Sequence, residues 1–290
     1  ESCLYLDDAI SDAVLKAVGE HGEGSIFAFW APHAVHTPLQ VPRRSLEAFR
    51  DVEDWRRRRY LAMLKHTDDT LGRLVSLLKE KDMFESTLIV VASDNGGPIY
   101  EGGQAGASNF PLRGGKASNF EGGVRVCAFV SGGLVPSQMR GAKLDGLTTL
   151  WDWYATLAEV AGVTNLTDVP AAKHGLPGID SISQWGYWTT GKAPPRRQVV
   201  LGAARSAQGV IVQDGGLWKL LTGILTDDAW QGPSFPNAST GTFPVLDCGG
   251  GCLFRLDTDP TEHTDLAEAH PETLKRLQQL LLEADKTVFN

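Results

Sequence analysis

Apolar residues along this chain fall into two rhythms, and the change from one to the other divides it. Ile10, Val14 and Val18 recur at helical spacing, predicting a helix over Asp8 to Val18. Ser25 to Ala31 is a short apolar run closed by Pro32, the pattern of a buried strand. Leu61, Leu64, Leu71, Leu74, Val75 and Leu78 mark a long amphipathic helix ending near Asp82. Leu88 to Ala92 and Val124 to Val130 read as further buried strands, with a Gly-rich loop from Gly96 to Gly115 between them. Leu147, Leu150, Trp151, Tyr154, Leu157, Ala158 and Ala161 return to helical spacing, as core positions, and Gly162 is a natural stop. Residues 170–195 are rich in Pro and Gly and read as a connection. Short strands are then expected at Gln198–Leu201, Val210–Gln213, Leu217–Leu221 and Leu253–Leu256. Pro271 opens a last helix carrying Leu274, Leu277, Leu280 and Leu281 on one face. The pattern predicts a larger α/β domain over 1–190 and a small antiparallel sheet capped by a helix over 191–290.

Composition narrows the picture less. At 290 residues, 42% hydrophobic and 21% charged, the chain has ordinary globular proportions. No apolar run reaches the roughly 18 residues of a membrane span. The net charge of −8 disfavours a nucleic-acid partner, yet leaves room for a local cationic pocket and an anionic substrate. The chain opens with Glu1 rather than Met, which reads as a processed start or a fragment. Cys248 and Cys252 flank a flexible Gly-Gly-Gly spacer that a small disulfide loop could use, while Cys127 reads as a buried thiol. Sequons at Asn165-Leu166-Thr167 and Asn237-Ala238-Ser239 fit a secretory or lysosomal protein.

Ser93-Asp94-Asn95-Gly96-Gly97 follows the Leu88–Ala92 strand directly. A carboxylate and an amide at the carboxyl end of a buried strand can hold a hard cation through oxygen. The same residues also make a plain turn. Arg56 to Arg59 reads as a solvated helix face, and Asp7 and Asp8 as charges at a helix N-terminus.

Further segments fall in order around this motif. Val35-His36-Thr37-Pro38-Leu39-Gln40-Val41-Pro42 precedes it; Phe110-Pro111-Leu112-Arg113-Gly114-Gly115-Lys116 and Glu121-Gly122-Gly123-Val124-Arg125 follow. The tail adds Leu217-Trp218-Lys219-Leu220-Leu221-Thr222-Gly223 and Leu253 to Glu262. Together these segments resemble the type I sulfatase family, and within it most the arylsulfatase B branch, from about Ile26 to Gln279. The resemblance implies an alkaline-phosphatase-like mixed sheet flanked by helices, here incomplete, followed by a small C-terminal α+β domain. It implies that Asp94 and Asn95 bind Ca²⁺ with an early pair of Asp residues, and that Asp94 also faces the nucleophile. It places His36 near the bridging oxygen of a sulfate ester and Lys116 against the sulfate and leaving-group oxygen. Arg113 and Arg125 read as supporting or ion-pair groups, and His33 as a loop histidine.

The family's nucleophile is a formylglycine made from Cys or Ser in Cys/Ser-x-Pro-x-Arg, and no such sequence occurs here. The early Asp pair and the family's Lys-x-His segment are absent as well. The expectation is a chain lacking an amino-terminal part. It should be unable to turn over a sulfate ester alone, and poorly soluble where sheet surface is left bare. The expected substrates are sulfated carbohydrates or aryl sulfate esters, in a lysosomal or extracellular setting. A non-catalytic, degenerate sulfatase that binds a sulfated ligand is the alternative. A two-metal phosphoesterase would need Asp and His ligands that the residues after Asn95 do not clearly offer.

Overall fold

The computed structural model describes residues 4–99, 105–202, 207–233 and 244–287. Helix α1 spans Leu6–Glu20 and α2 spans Trp55–Glu80. The Asp54 carboxylate accepts from the backbone N–H groups of Arg56 and Arg57, which caps α2. Buried Ser11 and Thr70 join the two helices through their hydroxyls at 3.0 Å. The Arg56–Arg59 run is less solvated than its charge predicts. Arg57 donates to the Gly106 carbonyl at 3.0 Å and Arg58 to the Val52 carbonyl at 2.7 Å.

Strand β1, Ile89–Ala92, pairs antiparallel with β2, Ala128–Ser131, with Val90 opposite Val130. Two expectations fail around this pair. Ser25 to Ala31 forms no strand and is largely exposed, with Phe27 at 76% and Phe29 at 86%; it has no ladder partner among the described residues. The strand expected from Val124 begins at Ala128, because Glu121–Val124 forms a helical turn, α3, whose Glu121 side chain is drawn into a buried ion pair. Cys127 consequently lies exposed beside the strand rather than in the core. Helix α4 spans Asp152–Val160, and the Pro- and Gly-rich connection contains α5, Val169–Lys173, and α6, Trp185–Thr190.

The C-terminal part is the regular one. Strands β3 (Gln198–Leu201), β4 (Ala207–Gln213), β5 (Leu217–Leu225) and β6 (Leu246–Arg255) form one antiparallel sheet in that order. Alternation along the strands separates two faces. Val210, Val212, Trp218, Leu220 and Leu253 meet Leu277 and Leu281 of α7, Pro271–Asp285. Val199, Ile211, Leu221, Leu225 and Phe254 pack with Phe120. Cys248 and Cys252 are joined as a disulfide within β6 and are buried on the Phe120 side. The second face therefore rests on the segment that carries the Lys116 motif. Asn237 lies outside the described residues, whereas Asn165 is exposed.

Candidate active site

The His36 loop hangs from α1. Asp7, 1% exposed, accepts the backbone N–H groups of His33 at 2.8 Å and Ala34 at 3.2 Å through one carboxylate oxygen. The turn closes with His36 N–H on the His33 carbonyl at 3.0 Å. His36 Nδ1 lies 2.7 Å from the Thr37 carbonyl, an acceptor only, so this nitrogen carries the proton of the neutral ring. Nε2 is left as the acceptor, and Lys116 Nζ lies 3.3 Å from it. Residues 80 positions apart thus meet through their functional atoms.

Lys116 is held from behind by backbone. Its N–H donates to the Gly97 carbonyl at 3.1 Å, and Gly96 N–H donates to the Gly123 carbonyl at 2.9 Å. The pairs Gly96-Gly97, Gly114-Gly115 and Gly122-Gly123 lie backbone against backbone. A Cβ on Gly96 would stand 1.7 Å from the Gly122 carbonyl oxygen, and one on Gly122 2.3 Å from that of Gly114. No side chain fits such approaches. The motifs that were scattered in sequence are therefore one interlocked wall. Asn109 completes it: Oδ1 accepts Gly97 N–H at 2.8 Å, while Nδ2 donates to the carbonyls of Gly97 at 2.7 Å and Gly114 at 3.0 Å.

Asp94 and Asn95 lie in the bend between the end of β1 at Ala92 and Gly96. Asp94 is exposed, and no hydrogen bond or ion pair engages its carboxylate among the described residues. Asn95 donates Nδ2–H to the Gly96 carbonyl at 3.1 Å, and no hydrogen bond engages its side-chain oxygen among the described residues. Two adjacent, uncommitted oxygen donors fit part of a hard-cation shell. They do not complete one: among the described residues no group of three or more His, Cys, Asp or Glu is placed to hold a metal. Asp7 and Asp8 add nothing to it, since Asp7 holds the His36 loop and Asp8 lies 3.6 Å from His66.

Arg113 is structural. Its buried guanidinium donates to Asp228 at 2.6 Å and to the Glu262 carbonyl at 2.7 Å, 4.4 Å from the ring centres of both Phe120 and Trp230. Arg125 pairs with Glu121 at 3.6 Å. His33 contributes its backbone and an edge-on contact to His36, with ring centres 5.8 Å apart. The residues that sequence reading missed are Asp7, Asn109, Lys219 and Glu262. Asn109 adjoins the quoted Phe110–Lys116 run, but nothing in its spacing shows that its amide is fully used.

The structure thus brings an imidazole nitrogen and an ammonium together. Residues 2–163 match the sulfatase family profile, and the chain belongs to the sulfatase family. It is 30% identical to arylsulfatase J of Mus musculus over 308 residues, an alignment covering 98% of this chain and 49% of that protein. It is 28% identical to N-acetylgalactosamine-6-sulfatase of Homo sapiens over 185 residues, covering 62% of this chain and 31% of that one. The chain thus spans about half the length, or less, of these curated relatives. They do not support the narrower likeness to the arylsulfatase B branch.

Among solved structures, Ps i-CgsB in complex with k-i-k-neocarrahexaose is similar with a TM-score of 0.70 at 24% identity, over 98% of this chain and 55% of that one. A sulfatase from a Bacteroides thetaiotaomicron locus for glycosaminoglycan metabolism gives 0.73 at 20% identity, over 97% and 54%. The fold is the alkaline-phosphatase-like α/β fold of the sulfatases.

Proposed function

We propose that this chain carries the leaving-group and cation-binding wall of a sulfuric ester hydrolase acting on sulfated carbohydrates or aryl sulfates. The observation that carries this reading is the 3.3 Å approach of Lys116 Nζ to His36 Nε2. Cleaving a sulfate ester builds negative charge on the sulfuryl oxygens and on the departing alkoxide. The Lys116 ammonium is a compact charge suited to a tetrahedral anion. Once protonated, His36 Nε2 can donate to the bridging oxygen and pass its proton to the departing alkoxide. Asp94 and Asn95 would hold a Ca²⁺ ion as two of its oxygen ligands, and by the family resemblance Asp94 would also take a proton from the nucleophile. When bound, the cation supplies Lewis-acid stabilisation of the sulfuryl oxygens.

The 290 residues contain no Cys/Ser-x-Pro-x-Arg sequence for a formylglycine nucleophile. These residues alone are therefore proposed to bind a sulfate ester without turning it over. We assign residues 1–190 to the catalytic portion and 191–290 to a C-terminal domain docked on it. The Cys248–Cys252 disulfide and the exposed Asn165 sequon support a lysosomal or secreted setting. No helix among the described residues is long and apolar enough to cross a membrane.

The test is titration of the purified chain with 4-nitrophenyl sulfate. Binding that is lost in both Lys116→Ala and His36→Ala, with no nitrophenol released, is the expected result. Binding indifferent to both substitutions contradicts the site. Release of nitrophenol above the Lys116→Ala control contradicts the proposed inactivity.

A further inference from the structure

We propose that Asn165 carries an N-linked glycan whose first sugar lies in the cleft beside it, covering apolar side chains of the connection after α4. This rests on the lysosomal or secreted setting proposed above, and not on the His36–Lys116 pair. Asn165-Leu166-Thr167 is a sequon that the sulfate chemistry leaves unused. Asn165 is exposed. Its Oδ1 accepts the Thr167 N–H at 2.9 Å, and no hydrogen bond among the described residues engages its Nδ2. The atom to be modified is therefore accessible, while the side chain is held to its own loop.

The cleft begins at the next residue. Leu166, Thr167, Asp168, Ala172, Leu176 and Ile179 are among the residues lining about 420 Å³. That volume is within the range of small-ligand sites. Leu176 is 47% exposed and Ile179 40%. A sugar ring suits this lining. Its apolar C–H face can rest on Leu176 and Ile179, and its hydroxyls can donate to the Asp168 carboxylate, whose Oδ1 already accepts the Ala171 N–H at 2.9 Å. A sugar tethered at Asn165 reaches the cleft at high effective concentration, because the attachment point adjoins the lining.

The transfer balances without any redox step. Asn165 Nδ2 forms a bond to the anomeric carbon of an N-acetylglucosamine carried on a lipid pyrophosphate. The bond from that carbon to the phosphate oxygen breaks, the lipid pyrophosphate leaves, and one Nδ2 proton passes to the transferase.

The experiment produces the full 290-residue chain behind a cleavable leader in a yeast secretory host, as wild type, Asn165→Gln and Leu176→Ser. Peptide mass mapping should find the glycan on Asn165 in wild type. Trimming to a single N-acetylglucosamine with endoglycosidase H should leave the melting temperature unchanged. Complete removal with peptide N-glycosidase F should lower it by on the order of 2–4 °C and raise binding of a hydrophobic dye. Asn165→Gln, which never carries the glycan, should melt at the lower temperature too; this separates loss of the sugar from the aspartate that the enzyme leaves behind. In Leu176→Ser, removal of the glycan should shift melting by less than half as much, since the two act on one surface. An unmodified Asn165 in a chain whose leader has been removed overturns the proposal, and the cell-retained pool supplies that reading if little is secreted. A glycan whose complete removal changes neither melting nor dye binding overturns its seat in the cleft, as does an equal shift in wild type and Leu176→Ser. Lys116-dependent binding of 4-nitrophenyl sulfate is read separately, so the two proposals fail independently.

Discussion

Lys219 Nζ lies 2.9 Å from Glu262 Oε1, and neither side chain is exposed to solvent. A second carboxylate, Glu121 Oε1, stands 2.9 Å from the same ammonium. Lys219 is on β5, facing Phe120, so this buried cluster clips the C-terminal sheet onto the turn that follows Lys116. Burial pushes the Glu262 carboxyl up, and the Lys219 charge pulls it partly back. Lys219→Ala strands two buried carboxylates and should cost about 3–5 kcal/mol in urea unfolding. Glu262 has a raised folded value, so its contribution is fully present below the ordinary 4.5 and is lost as pH rises through that folded value. Glu262→Gln should remove this slope.

Asp152 runs the other way. Burial pushes its carboxyl up, but the Arg196 guanidinium and the N–H groups of Ile182 and Thr149 outweigh that and hold it below the ordinary 3.8. Its contribution is therefore present above 3.8 and is lost as pH falls through the lowered folded value. Asp152→Asn should cost about 3–5 kcal/mol at neutral pH. Urea midpoints of the two proteins should converge on acidification below 3.8.

Asp7 predicts a functional effect from a residue outside the site. Asp7→Ala unpairs the N–H groups of His33 and Ala34, at a cost of about 1–3 kcal/mol. It should also weaken 4-nitrophenyl sulfate binding by up to about tenfold, the equivalent of ~1.4 kcal/mol of lost His36 placement. Unchanged affinity in a folded variant would separate the loop from the site.

Phe27, Phe29 and Phe129 are 76%, 86% and 51% exposed. The chain should bind a hydrophobic dye and self-associate as concentration rises. Phe27→Ser with Phe29→Ser should reduce both without lowering the melting temperature, because neither ring is packed. A dye-silent monomer in the wild type would contradict the prediction.

How far the sequence could be read depended on where each residue's partner sat. β3 begins where periodicity places it, its partner β4 lying close in sequence, and α7 begins where Pro271 places it, with one simple apolar face to bury against the sheet. The Ser25–Ala31 run has strand composition yet pairs with nothing described, and composition cannot show which strand, if any, lies beside a run. Cys127 looked like core because the turn at Glu121–Val124 was invisible in the apolar pattern. His36 and Lys116 were legible only through the order of flanking motifs, since 80 residues separate them. Asp7 was legible as a charge at the start of α1, but its hold on the His36 loop was not, and Asn109 was not legible at all: each acts on backbone groups, which any sequence supplies.

The most direct measurement is a crystal structure of the chain soaked with 4-nitrophenyl sulfate and Ca²⁺, using anomalous scattering to locate the cation. The predicted result is a sulfuryl oxygen within hydrogen-bonding distance of Lys116 Nζ, the bridging oxygen at His36 Nε2, and the cation on Asp94 and Asn95. An anion bound away from Lys116, or a cation on other carboxylates with Asp94 left bare, would contradict it.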